Sequence, residues 1–266
     1  MSETLTVKSA DVSLSVRVEG AGHLPWLVLS NSLATDLSLW DRQLADLARL
    51  RRIVRYDTRG HGDSSAPAGP YSFDTLTADV IAIMDHLGIE RADILGLSLG
   101  GMTALGLGLD HASRVNTIIC CCARADFPAP AISMWDDRIK AVRDGGMAAI
   151  AEGTLGRWFT PAALAEKPTY IDSTRAMILK TSVEGYCGCV AALKSLDYRR
   201  RLPDLNKPTL FIAGAEDQAA SSAAMREMAA ATPGAKFEEM TAASHIANIE
   251  QPERFNAAVC DFLRQG

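Results

Sequence analysis

The sequence has no run of about 18 apolar residues, so no stretch reads as a membrane-crossing helix. Met1-Ser2-Glu3-Thr4 lacks the basic flank and apolar core of a secretory leader, and the expectation is a soluble, cytosolic protein with no membrane partner. Basic blocks are missing too. Charged residues make up 22% of the chain, the formal net charge is −5, and no basic patch is interleaved with aromatics, which argues against nucleic acid and leaves a small molecule as the expected partner. Six cysteines occur, but in no disulfide or metal pattern: Cys120, Cys121 and Cys122 are consecutive in an apolar run, Cys260 falls in the last expected helix, and Cys187 and Cys189 have no matching ligand cluster. Reduced, mostly buried thiols and no metal site are expected. Internal repeats and low-complexity segments are also absent.

What is present is enough chain, 266 residues, to bury the core of one α/β domain with a large insertion. The most informative stretch is Ile94-Leu95-Gly96-Leu97-Ser98-Leu99-Gly100-Gly101-Met102, an apolar strand entering a Gly-x-Ser-x-Gly turn and leaving as a helix to Asp110. A serine hydroxyl is a poor nucleophile. It must be projected from a tight turn, given a base, and faced with donors where negative charge develops. Around this turn the chain alternates strand and helix. Residues 4–9 and 12–19 alternate apolar and polar as an antiparallel pair, and 26–30 reads as a buried strand. A helix near 39–48, a strand over 53–56 and a Gly-rich loop over 57–64 follow. Asp74 is expected to cap a helix over 75–87, and a strand over 115–120 comes after the elbow helix. From 124 to 200 the pattern is helical, with segments near 132–143, 146–157, 169–180 and 184–195. The sheet then resumes at 208–214, followed by a helix near 221–231, a strand over 236–240 and an amphipathic helix over 252–263. This rhythm predicts an α/β fold: a mostly parallel eight-stranded sheet flanked by helices, with residues 1–123 and 201–266 as the core and 124–200 as a helical cap over the carboxyl ends of the strands.

Five histidines compete as the base for Ser98. His86 and His111 fall in or at the end of helices, His23 in a polar loop, and His61 in a turn-shaping loop; His245 lies past the final strand, where it can reach over the carboxyl edge of the sheet. The acid that orients it is expected at Asp217, which follows the preceding strand and keeps the order Ser, Asp, His. Glu216 and, more weakly, Asp126 are the alternatives. The oxyanion hole is expected from the N–H of Leu99, at a helix N-terminus, and the N–H of Leu33, in the loop after the third strand. No metal or organic cofactor is required by this chemistry.

With these parts the chain resembles the α/β-hydrolase family and, within it, the 3-oxoadipate enol-lactonases. The closer resemblance rests on Leu29-Ser30-Asn31-Ser32-Leu33, Arg55-Tyr56-Asp57-Thr58-Arg59-Gly60-His61-Gly62, the Ser98 elbow, Arg157-Trp158-Phe159-Thr160 and Ser244-His245-Ile246-Ala247-Asn248-Ile249-Glu250. It implies a serine hydrolase of aromatic catabolism that opens a small carboxylate-bearing enol-lactone, with Asn31, Ser32 and Trp158 among its substrate-binding residues. Two departures flank the expected site: Cys121-Cys122 where the pattern has Asn-Thr, and Gln218-Ala219-Ala220 where it has a Pro-Ala-Thr-like run. A free carboxylate on the substrate calls for a cation, and the cap offers Arg138 and Arg157. Arg138 is three residues after Trp135, so on a helix the two share a face. The competing expectation for Arg138 is a surface ion pair with Asp136 or Asp137. Alternatives for the whole chain are a broad-specificity carboxylesterase with the same triad and a ligand-binding protein on a hydrolase fold. An aspartate-nucleophile dehalogenase or epoxide hydrolase is disfavoured because the elbow presents serine.

Overall fold

A computed structural model describes residues 2–265. The strands are β1 (Ser2–Ser9), β2 (Val12–Glu19), β3 (Trp26–Ser30), β4 (Arg52–Tyr56), β5 (Ala92–Leu97), β6 (Val115–Cys121), β7 (Thr209–Gly214) and β8 (Lys236–Met240). They form one sheet in the order β1-β2-β4-β3-β5-β6-β7-β8, antiparallel for β1·β2 and β2·β4 and parallel from β4 to β8. β2 buries every second residue, as its alternation requires, whereas every residue of β5 and β7 is buried because helices cover both faces of the central strands. The helices are α1 (Leu44–Leu47), α2 (Phe73–His86), α3 (Leu99–Asp110), α4 (Ala129–Gly145), α5 (Ala148–Trp158), α6 (Pro161–Glu166), α7 (Thr169–Lys180), α8 (Val183–Lys194), α9 (Ser222–Ala231), α10 (Ala247–Glu250) and α11 (Pro252–Leu263). α4 to α8 lie between β6 and β7 in the chain.

Two local expectations are corrected, and two short helices are added. The helix expected over 39–48 is a 3₁₀ turn, Leu37–Trp40, followed by the single turn α1. The carbonyl of Leu37 accepts from Arg55 Nη1 at 2.9 Å and Asp41 N turns to the Ser38 carbonyl at 3.0 Å, so the turn closes three residues apart, while the Leu37 N–H, a donor that a helix start leaves unpaired, goes to Asp57 Oδ1 at 2.8 Å. α2 is capped by Ser72, whose Oγ accepts from Thr75 N at 3.1 Å, and Asp74 sits in the first turn, where its charge suits the helix dipole. The short helices α6 and α10 carry too few residues to show a period, although Thr160 caps α6 just before Pro161.

α3 starts immediately after Ser98 and is buried from Leu99 to Gly108. Close approach here depends on missing side chains: a Cβ on Gly96 would lie 2.0 Å from the Gly100 carbonyl oxygen, and one on Gly100 would lie 2.0 Å from that of Ser30. Strand, turn and helix are therefore wedged together, and the turn stands at the carboxyl end of β5.

Candidate active site

Ser98 has φ +56° and ψ −115°, a conformation that costs a non-glycine residue about 1–3 kcal/mol and persists because its surroundings enforce it. Its N–H donates to the Cys121 carbonyl at 2.8 Å, and its own carbonyl accepts from Met102 N at 2.9 Å, so the elbow is tied to both β6 and α3.

His245 lies in the loop between β8 and α10, and its Nδ1 is 2.8 Å from Asp217 Oδ2. The other oxygen of Asp217 accepts from Ala219 N at 2.7 Å and Ala220 N at 2.9 Å, which fixes the carboxylate in the loop after β7. Both side chains are buried, and the Trp158 ring lies 5.8 Å from the His245 ring at an interplanar angle of 32°. With Nδ1–H donating to Asp217, the tautomer set by that partner leaves Nε2 as the acceptor. Ser98 and His245 line one cavity of about 230 Å³, without a hydrogen bond between them in this conformation. Such bonds commonly tighten only when substrate is in place.

The competing residues are elsewhere. Glu216 is exposed, and Asp126 faces Arg199 at 3.8 Å. His61 is buried, with Nδ1 3.0 Å from the Arg59 carbonyl and burial pushing its pKa down to about 4, so it is a neutral part of its turn. Neither it nor His23, His86 or His111 lines the cavity.

Leu33 lines the cavity, and Leu99 is the first residue of α3. Among the described residues neither N–H donates to a backbone carbonyl, which leaves both free for an acceptor near Ser98. Asn31 and Ser32, expected to bind substrate, do not reach the cavity wall. The Asn31 amide is fully buried: Nδ2 donates to the Tyr56 carbonyl at 2.7 Å and Oδ1 accepts from Trp40 Nε1 at 2.9 Å. Ser32 is likewise fully buried, and its Oγ has no hydrogen-bond partner. These two side chains shape the loop that carries Leu33.

Trp135, Arg138 and Trp158 do line the cavity. Arg138 Nε donates to Tyr186 Oη at 2.8 Å and Nη2 to Thr154 Oγ1 at 2.6 Å, while its guanidinium lies 5.5 Å from the Trp135 ring centre. The surface ion pair weighed against this placement is not formed, because Asp136 pairs with Lys194 instead. Arg124 and Arg157 share the wall. Arg124 donates only to carbonyls, those of Asp126 at 3.2 Å and Ala219 at 3.4 Å, and among the described residues none of the three arginines forms an ion pair at the cavity. Among the described residues no aspartate or glutamate lines it. Arg124, Thr154 and Tyr186 escaped the sequence reading, since nothing local marks a loop arginine or a helix hydroxyl as facing Ser98. All six cysteines are free and buried, Cys122 on the cavity wall with its thiol pushed well above the usual range by burial. Among the described residues no three His, Cys, Asp or Glu side chains are grouped to hold a metal.

An alpha/beta hydrolase fold family model matches residues 25–252, and the chain belongs to that family. It is a hydrolase of ester or lactone bonds. It is similar to 3-oxoadipate enol-lactonase 2 of Acinetobacter baylyi, with 37% identity over 254 residues covering 96% of this chain and 94% of that protein. The crystal structure of the enol-lactonase from Burkholderia xenovorans superposes with a TM-score of 0.94 at 41% identity, covering 98% of this chain and 100% of that one. A malate-bound thermophilic esterase from Thermogutta terrifontis superposes with a TM-score of 0.92 at 27% identity, covering 99% and 98% of the two chains.

Proposed function

We propose that this enzyme opens 3-oxoadipate enol-lactone to 3-oxoadipate in aromatic catabolism, through a Ser98-His245-Asp217 triad and an acyl-enzyme. The carrying observation is the cavity itself: among the described residues Ser98 and His245 share its wall with Arg124, Arg138 and Arg157 and with no carboxylate, which suits a substrate bearing a negative charge beside a reactive carbonyl. Ser98 Oγ attacks the lactone carbonyl as its proton passes to His245 Nε2. Asp217 holds the imidazole and stabilises its charged form. The N–H groups of Leu33 and Leu99 receive the oxyanion. The ring C–O bond then breaks, the departing enol oxygen takes the proton from His245, and the released enol tautomerises to a ketone while the acyl group stays on Ser98. Water, deprotonated by His245, attacks the ester and frees the new carboxylate.

The substrate carboxylate is assigned to Arg138, with Arg157 as the alternative, and Trp135 and Trp158 supply apolar walls. Residues 124–200 act as a cap over a core of 1–123 and 201–266. Tyr186 and Thr154 support this reading, because they accept from Arg138 without neutralising it and leave part of its planar fork for a carboxylate. The enol-lactonase relatives support it as well. A second reading, a broad carboxylesterase, draws on the small apolar wall of Met102, Cys122, Ala219 and Ala220 and on the esterase likeness. Turnover of the enol-lactone beside neutral activated esters decides between them. The proposal expects kcat/KM for the lactone to exceed that for the esters, and the opposite order would favour the esterase.

A further inference from the structure

The His245 loop is held from two sides. On the core side the contacts are mainly backbone on backbone: Glu216 N donates to the Ala243 carbonyl at 2.9 Å, Ala215 N to that of Met240 at 3.0 Å, and Gly214 leaves so little room that a Cβ there would lie 2.0 Å from the Ser244 carbonyl oxygen, with Ser244 Oγ adding a bond of 3.3 Å to the Glu216 carbonyl. On the other side the loop meets the inserted helices, and the shortest bonds of that connection all end on one carboxylate. Glu250, at the end of α10, reaches back so that Oε2 accepts from Ser244 N at 2.6 Å. Its Oε1 accepts from Thr160 N at 2.8 Å and from Thr160 Oγ at 2.9 Å. Two longer bonds run parallel to it, Ile246 N to the Trp158 carbonyl and Ser244 Oγ to the Arg157 carbonyl, both 3.3 Å, and Trp158 is the residue whose ring faces His245.

We propose that Glu250 is a positioning residue for His245: it ties the loop carrying the imidazole to the segment Trp158–Thr160, and without its carboxylate the Ser98 chemistry slows while substrate binding holds. This rests on the reading of His245 as the base. The donor set explains why a carboxylate stands here. All three partners are N–H or O–H donors, and among the described residues no cation pairs with Glu250. Burial raises its carboxyl pKa, and the Ser244 and Thr160 donors favour the ionised form. Glutamine keeps the size but turns one oxygen into a donor, which must oppose either Ser244 N–H or a Thr160 donor, so one end of the tie opens whichever way the amide faces. The opened end adjoins His245 directly or frees the segment that backs its ring. Small displacements of a catalytic group carry large rate costs because the reacting atoms must meet within a few tenths of an ångström.

The test compares Glu250→Gln with the parent enzyme in three readouts: kcat and KM on the enol-lactone or an activated ester, the rate at which a fluorophosphonate labels Ser98, and the melting temperature. The expected result is a kcat lowered by about tenfold to a hundredfold, a KM within about twofold, and labelling slowed in proportion among folded molecules. Thr160→Val, which deletes one donor and keeps the backbone N–H, should lower kcat by about threefold to tenfold, and Thr160→Ser should rescue it. If Glu250→Gln does not fold, the Thr160 pair decides. Unchanged kcat and labelling with only a lower melting temperature, or a rise confined to KM, would overturn the proposal. His245→Ala separates the two levels. Full activity in His245→Ala overturns the triad reading, whereas its loss alongside an unimpaired Glu250→Gln overturns only the role of Glu250.

Discussion

Ser98 is the residue at which backbone strain and chemistry coincide. Its positive φ is enforced by β5, α3 and the bond to Cys121, so on the proposed reading the projection of the nucleophile comes at the expense of stability. Ser98→Ala should lower kcat by about 10³-fold or more with the fold intact, and Ser98→Gly should be equally inactive yet about 1 kcal/mol more stable, as a glycine relaxes in this region. Steady-state kinetics and chemical denaturation read the two effects separately. The neighbouring acids should part as clearly. Asp217 accepts from two backbone N–H groups and faces His245 Nδ1, so in Asp217→Asn an amide N–H would confront the imidazole and reverse its tautomer. A loss of about 10³- to 10⁴-fold in kcat is expected there, against less than about twofold for the exposed Glu216→Gln. The reverse ranking would mean that Glu216, not Asp217, orients His245.

His61 carries a prediction about stability rather than rate. Its pKa in the fold is about 4, against 6.5 for an ordinary imidazole, because burial disfavours the charged ring. Between those values the unfolded chain holds a proton that the folded one does not. The stabilisation is therefore complete above pH 6.5 and is lost as the pH falls toward 4, by roughly 3 kcal/mol. In His61→Asn, whose amide can still donate to the Arg59 carbonyl, thermal unfolding should depend less on pH across that window.

Among the elements, α8 and α4 are attached to the core in different ways. α8 rests backbone to backbone on the loop after β4: Ser182 N donates to the Gly60 carbonyl at 3.0 Å, and a Cβ on Gly185 would lie 2.3 Å from Gly60 Cα. α4 is tied to α8 through side chains, Arg138 to Tyr186 and Asp136 to Lys194. Tyr186, which accepts from Arg138, thus stands on a helix packed backbone to backbone against the loop after β4. Two glycine substitutions should separate a crowded backbone contact from an open helix position. Gly185→Ala forces two backbones apart and should destabilise by about 2 kcal/mol or more. Gly156→Ala, in α5 with nothing within 4 Å of the new methyl, should stabilise by about 0.5–1 kcal/mol. Urea denaturation of the two variants should give shifts of opposite sign.

The whole molecule is acidic, with a net charge of −5, yet its cavity is lined by three arginines. That local inversion should govern substrate charge. Arg138→Ala should cost the anionic lactone about 1.5–3 kcal/mol in kcat/KM, the worth of a charge-assisted hydrogen bond, and leave a neutral ester nearly unaffected. Equal losses on both substrates, or none on either, would move the carboxylate to Arg157.

Much of this was legible in the residues alone, because the signals are local. Alternation in β2, the apolar runs of β3, β5 and β7, the amphipathic α11 and the Gly-x-Ser-x-Gly turn each depend on neighbours a few positions apart, and the order Ser98, Asp217, His245 follows from the rhythm of strands. Only the tertiary structure decided where the polar side chains point. Asn31 turned inward to Tyr56 and Trp40, the Leu37 carbonyl after β3 went to Arg55 in place of a helix bond, and Arg138 exchanged a surface pairing for Tyr186 and Thr154. Each choice was settled by a partner between 9 and 48 residues distant, and a buried donor or acceptor must take whatever partner packing brings within reach.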